Sequence, residues 1–158
     1  MANTTNLFMA RAIALAVSNA QSGRGGPFGA VIVRAGEIIA EAANCVTATN
    51  DPTAHAEVMA IREACKILAR FELKDCEIYA SCEPCPMCLG AIYWARMERL
   101  YFASTREDAT AAGFDDSLIY EELAREPGDR KIPMIQTMRQ EGAAAFNAWS
   151  NAEHRTSY

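Results

Sequence analysis

Apolar and polar positions repeat with two different periods along this chain, and the switches between them mark its elements. Residues 4–20 have helical spacing, with Leu7, Met9, Ala10, Ile13, Ala14 and Val17 predicted near one side. SGRGGPFG (22–29) breaks that period and predicts a loop. FGAVIVR (28–34) and EIIAEAAN (37–44) are β-type runs separated by Ala35-Gly36, a hairpin signal. The stretch 49–70 opens on turn residues and becomes helical from about Ala54, with Met59, Ile61, Ile67 and Leu68 as predicted core positions. CEIYAS (76–81) and RLYFAS (99–104) read as strands, and PMCLGAIYWARM (86–97) as a helix with Pro86 at its first position. A short helix over 116–126, a strand over KIPMIQTM (131–138) and a helix over 141–155 complete the chain. The order α-β-β-α-β-α-β-α-β-α predicts one layered α/β domain with helices covering a mixed sheet.

The 158 residues are 51% hydrophobic, enough for one domain with a sizeable core. A formal net charge of -5 suits a polyanion poorly, since phosphate binding relies on Lys and Arg, and it favours a small neutral substrate. The first twenty residues lack a basic n-region and are broken by Arg11, so the reading is an amphipathic helix and not a signal peptide. No apolar run has membrane-spanning length, so no membrane association is expected. The predicted setting is a reducing cytoplasm, where clustered cysteines bind metal or catalyse more often than they form disulfides.

The cluster is SCEPCPMC (81–88), in which Cys82, Cys85 and Cys88 follow one another at intervals of three. Upstream, HAE places His55, Ala56 and Glu57 at the start of the second long helix. One imidazole and two thiolates suit zinc, a borderline-soft ion. Residues three apart on a helix share a face, so Cys85 and Cys88 can reach one ion. The unpaired N–H groups at a helix start favour thiolate over thiol. Two readings follow. In one, His55, Cys82, Cys85 and Cys88 form a closed structural site. In the other, His55, Cys85 and Cys88 bind one zinc per chain, the fourth position takes water, and Glu57 is the acid–base residue. Glu57 favours the second, because a closed site has no use for a carboxylate two residues from its histidine.

H-A-E followed by P-C-x-x-C is the signature of zinc-dependent nucleobase deaminases. With GGPFGAVIV, NDPTAHAEVMAIR, SCEPCPMCLGAIYWAR and AAGFDDSLIY, nearly the whole chain resembles the small guanine deaminases of the cytidine deaminase-like superfamily. The resemblance implies a three-layer α/β/α sandwich around a central five-stranded mixed sheet. It implies hydrolytic deamination of guanine to xanthine and ammonia, in purine salvage or catabolism, with Glu57 moving the protons. It also implies a domain-swapped homodimer in which the C-terminal segment, about 130–158, crosses to the partner and Tyr158 acts as a lid. By the same resemblance the substrate contacts are Asn44 through its amide, Phe28 through its ring face, Asp116 as acceptor for guanine N–H groups, Trp94 as a pocket wall, and Ala56. A turn role for Asn44, core roles for Phe28 and Trp94, and a helix-capping role for Asp115 or Asp116 stay open at this level.

Three other readings compete. The tRNA adenosine deaminases resemble the chain through HAE and PCxMC, but they need a positive surface for RNA. Here Lys131, Arg139 and Arg155 are interleaved with Glu141 and Glu153, so no nucleic-acid partner is expected. A guanosine deaminase shares every motif. A non-enzymatic zinc module would leave Glu57 without a role.

Overall fold

The hairpin expected at Ala35-Gly36 forms, with φ of 50° and 80° at the two residues. Two positive φ values fit a tight turn whose twist matches the flanking strands. It joins β1 (Gly29–Arg34) to β2 (Glu37–Ala43) in antiparallel register. β1 also pairs antiparallel with β3 (Cys76–Cys82), and β3 runs parallel to β4 (Arg99–Ser104). The sheet order is β2-β1-β3-β4. A parallel neighbour needs a crossover, and the β3–β4 connection contains helix α4 (Pro86–Trp94). This computed structural model describes residues 4–158, with side chains from Leu7 onward. They divide into two compact units, Met1–Asp116 and Ser117–Tyr158.

Both faces of β1 are covered. Ala30 and Ile32 pack with Ile78 against Ala56, Ala60 and Ala64 of α3 (Ala56–Ile67) and Ile92 of α4. Val31 and Val33 pack with Tyr79 against Ala12 of α1 (Thr4–Ser22), together with Phe8, Met9 and Leu15. A strand buried on both sides reads as an unbroken apolar run, as AVIV does.

The helices meet this sheet through small residues, and here the structure departs from the pattern. Helix α1 buries Ala12 and Ala16, while Leu7, Ile13 and Val17 are exposed. Helix α3 buries Ala56, Ala60 and Ala64, while Ile67 is exposed. Close approach is the reason. A Cβ built on Gly29 would lie 2.3 Å from the Ala12 carbonyl oxygen, so α1 rests directly on the β1 backbone. Larger side chains on that face would hold the helix off the sheet.

The expected fifth strand is absent: among the described residues the sheet has four strands, and KIPMIQTM is not one of them. A strand exists by pairing, and Pro133 removes one donor from this segment. Ile132, Met134 and Ile135 are all exposed. Two short helices had no clear signature in the pattern, α2 (Val46–Thr49) and α5 (Arg106–Ala111). The second unit holds α6 (Ser117–Ala124), a 3-10 turn at Pro127–Asp129 and α7 (Arg139–Asn151). Arg130 ties it together by donating to the carbonyls of Glu122 and Arg125 at 3.0 and 3.2 Å.

Asp75, just before β3, bridges Arg70 and Arg34. Those partners, Arg70 first, lower its pKa to about 2. A depressed carboxylate pKa adds stability above the unfolded value and loses it as pH falls through the folded one. The stability difference between wild type and Asp75→Asn, measured by urea denaturation, should therefore be full at neutral pH and narrow from about pH 4 towards pH 2. Gly29→Ala should destabilise by about 1–3 kcal/mol in the same assay, because the added carbon meets backbone that cannot yield cheaply.

Candidate metal centre and active site

Two helix starts converge at one point. His55 is the N-cap of α3, and Cys85 is the N-cap of α4 with Pro86 at its first position. His55 Nδ1 lies 3.6 Å from Cys85 Sγ and 3.5 Å from Cys88 Sγ. The three ligand atoms all fall within 4.8 Å of one another. Zinc bonds of ~2.0–2.1 Å to nitrogen and ~2.3 Å to sulfur, at a tetrahedral angle, require an N···S separation of about 3.5 Å. The donor set therefore fits tetrahedral zinc with three protein ligands.

The electrostatics agree. A hydrogen bond from the Cys88 thiol, and then His55, holds Cys85 down to about 4, so Cys85 is a thiolate. The same bond, followed by burial, pushes Cys88 up. The two sulfurs share one proton, which a cation would displace. His55 is raised, chiefly by its hydrogen bond with Cys85.

Glu57 is buried beside this group, 7% exposed, with its Oε2 3.5 Å from Cys88 Sγ. Burial raises its pKa, which brings the carboxyl closer to holding a proton near neutrality. Ala56, between the two, is fully buried in the core cluster under the sheet. Cys82 is not part of the metal cluster. Its thiol donates to the Thr105 carbonyl at 3.5 Å, and burial raises its pKa to about 11. It lines an apolar cleft of about 430 Å³ between α1 and α5, together with Ile13, Val17, Phe28 and Phe114. Ile13 and Val17, exposed on α1, face that cleft.

Asn44 follows β2 and is 7% exposed. Its N–H donates to the Phe28 carbonyl at 3.0 Å. The next residue, Cys45, donates its N–H to the carbonyl of Ala54, which precedes His55, at 3.0 Å. Phe28, Asn44 and His55 thus belong to one bonded neighbourhood. The Phe28 and Phe114 rings pack edge to face, with centroids 5.0 Å apart and planes at 85°. Phe114 was missed by the sequence reading, although it stands in the quoted AAGFDD. Gly113, at φ 92°, ends α5 and turns the chain so that Phe114 returns towards Phe28. Asp116 has a raised pKa, from burial first and from the negative charge of Cys85 second, so its carboxylate lies within the field of the metal ligands. Trp94 stands at the opposite end of α4 from Cys85 and is 65% exposed, so it is not core. Tyr158 lies in the second unit and is exposed.

Residues 2–104 match the cytidine and deoxycytidylate deaminase zinc-binding region. The chain is 54% identical over 151 residues to guanine deaminase of Bacillus subtilis, covering 96% of this chain and 97% of that protein. The X-ray structure of guanine deaminase from Bacillus subtilis superposes with a TM-score of 0.94 over 97% of this chain and 98% of that one, at 53% identity. The tRNA-specific adenosine deaminase of Aquifex aeolicus is 49% identical, over 78 residues that make up 49% of this chain and 52% of that protein.

The arrangement separates the two ligand readings experimentally. Cys82→Ser should retain about one zinc per chain by elemental analysis, whereas Cys85→Ser and His55→Ala should lose it, since no nearby donor replaces a missing ligand.

Proposed function

The chain belongs to the cytidine and deoxycytidylate deaminase zinc-binding family, among its guanine deaminases, and we propose that it hydrolyses guanine to xanthine and ammonia. The observation that carries the reading is the extent of the match. The likeness to guanine deaminase covers 96% of the chain, including the stretch after residue 104, whereas the likeness to a tRNA-specific deaminase spans 49%.

In this reading His55, Cys85 and Cys88 hold the zinc, which supplies Lewis acidity for activating water. Glu57 takes one proton from the attacking water and passes it to the ring nitrogen, then carries the second, from the new hydroxyl, to the departing amine. A new C–O bond forms at C2 of guanine, the C2–N bond breaks, and the nitrogen leaves as ammonia. Burial raises the pKa of Glu57 above the ordinary carboxylate value, the direction that suits a group which both takes and gives a proton. Asn44 binds the purine through its amide, and Phe28, braced by Phe114, offers a ring face. Asp116 accepts from guanine N–H groups, and Ala56 and Trp94 complete the substrate contacts, Trp94 as a wall.

The architecture is read as a three-layer α/β/α sandwich, supported by apolar clusters on both faces of the sheet. Each chain forms a single deaminase domain within a homodimer, with about 130–158 exchanged between subunits and Tyr158 closing over the purine. Support comes from the second unit, in which Ile132, Ile135, Phe146 and Trp149 are exposed in the single chain. A cytoplasmic setting is supported by six unpaired cysteines. No helix among the described residues is long and apolar enough to cross a membrane.

Ammonia release should be measured in parallel with guanine, guanosine, adenine and a tRNA anticodon stem-loop. Guanine should be turned over, and Glu57→Gln should keep its zinc while losing about 10²–10⁴-fold in rate. Release from the stem-loop alone would move the protein to the RNA-modifying branch. Sedimentation should give the mass of two chains, and a monomer would overturn the exchanged dimer.

A further inference from the structure

Asn44 has little freedom in how it presents its amide. Its Oδ1 accepts from the N–H of Gly26 at 3.2 Å and from the N–H of Val46 at 3.3 Å. A flipped amide would point its own hydrogens at those two donors, so the flip is excluded. Nδ2 is the group left over, and among the described residues no hydrogen bond engages it. Asn44 can therefore offer a substrate only donors, and the substrate must meet it with a carbonyl oxygen or an unprotonated ring nitrogen.

What holds Asn44 and the 23–28 loop together is a residue outside the site. Asn19, near the end of α1, donates from Nδ2 to the Gly26 carbonyl at 2.8 Å and to the Asn44 carbonyl at 2.7 Å. An amide nitrogen carries two hydrogens, and both are used. The joint leaves no slack. A Cβ on Gly25 would lie 2.2 Å from the Asn44 carbonyl oxygen and 3.0 Å from Asn19 Nδ2. Phe28 is drawn into the same joint, since its carbonyl accepts from the Asn44 N–H at 3.0 Å.

We propose that Asn19 is a positioning residue for substrate recognition. It clamps the Gly25–Gly26 loop to Asn44, and so aims the Asn44 N–H donors at an acceptor on the purine. The inference rests on the reading of Asn44 as a substrate contact. Asn19 binds the backbone carbonyls of the joint and is given no contact with the substrate.

The test is a double-mutant cycle on kcat/KM for guanine with Asn19→Ala, Asn44→Ala and the pair, with zinc content and the urea midpoint recorded for each protein. Asn19→Ala should keep one zinc per chain and lose about ten- to a hundredfold in kcat/KM, the order expected for a misplaced binding group. In the Asn44→Ala background the same change should cost less than about twofold, because the group it aims is gone. An equal loss in both backgrounds, or no loss in the wild-type background, would overturn the positioning role. If Asn44→Ala is itself unimpaired, the substrate reading of Asn44 fails and takes this inference with it. That outcome is distinct from an impaired Asn44→Ala beside an unimpaired Asn19→Ala, which sinks the role of Asn19 alone. Should Asn19→Ala fold poorly, Gly25→Ala strains the same joint from the other side and should show the same dependence on Asn44.

Discussion

Everything at the site depends on two helices starting at the same point. Helix α3 begins at His55 and α4 at Cys85, and both lean on one face of the sheet. The positive ends of two helix dipoles, with their unpaired N–H groups, therefore point towards one place. That setting favours negative ligands around a cation, and at Cys85 the Cys88 thiol, His55 and the Cys88 N–H hold the pKa down. Because the ligands stand on helix starts, their spacing is held by the core and not by loops.

The core does this through alanine. Ala56, Ala60 and Ala64 bring α3 down onto β1 and β2, and Ala56 sits directly between the metal ligand His55 and Glu57. On the other face Ala12 and Gly29 bring α1 into backbone contact with β1. Close packing has a further effect. It places the end of α1 beside the loop before β1, where Asn19 reaches two carbonyls at once. Packing on the far side of the sheet is thus connected to the joint at Asn44 by short hydrogen bonds.

Cys82 shows how three cysteines at equal spacing take different fates. It ends β3, before the turn, and its thiol is spent on the Thr105 carbonyl. Cys85 and Cys88 lie past the turn, on a helix, where a spacing of three brings side chains together. The change of element between residues 82 and 85 separates the thiols.

The zinc chemistry and the succession of strands and long helices along the first unit were legible in the sequence. HAE and PCPMC identify ligands by residue type and spacing, and periods of two and near four identify strands and helices. The hairpin followed from Ala35-Gly36 and the start of α4 from Pro86. What the sequence could not decide is which side of a helix faces the sheet when alanines and larger apolar residues share it. Burial ranking favours Ile13 and Ile67, but the space between helix and sheet admits only Ala12 and Ala64. Nor could it decide that KIPMIQTM stays unpaired, since a strand is defined by a partner that no local pattern contains. The brace of Phe114 on Phe28 and the clamp of Asn19 on Asn44 join residues 86 and 25 positions apart. Such contacts carry no local signal; they exist only once the chain has closed on itself and fixed the distances.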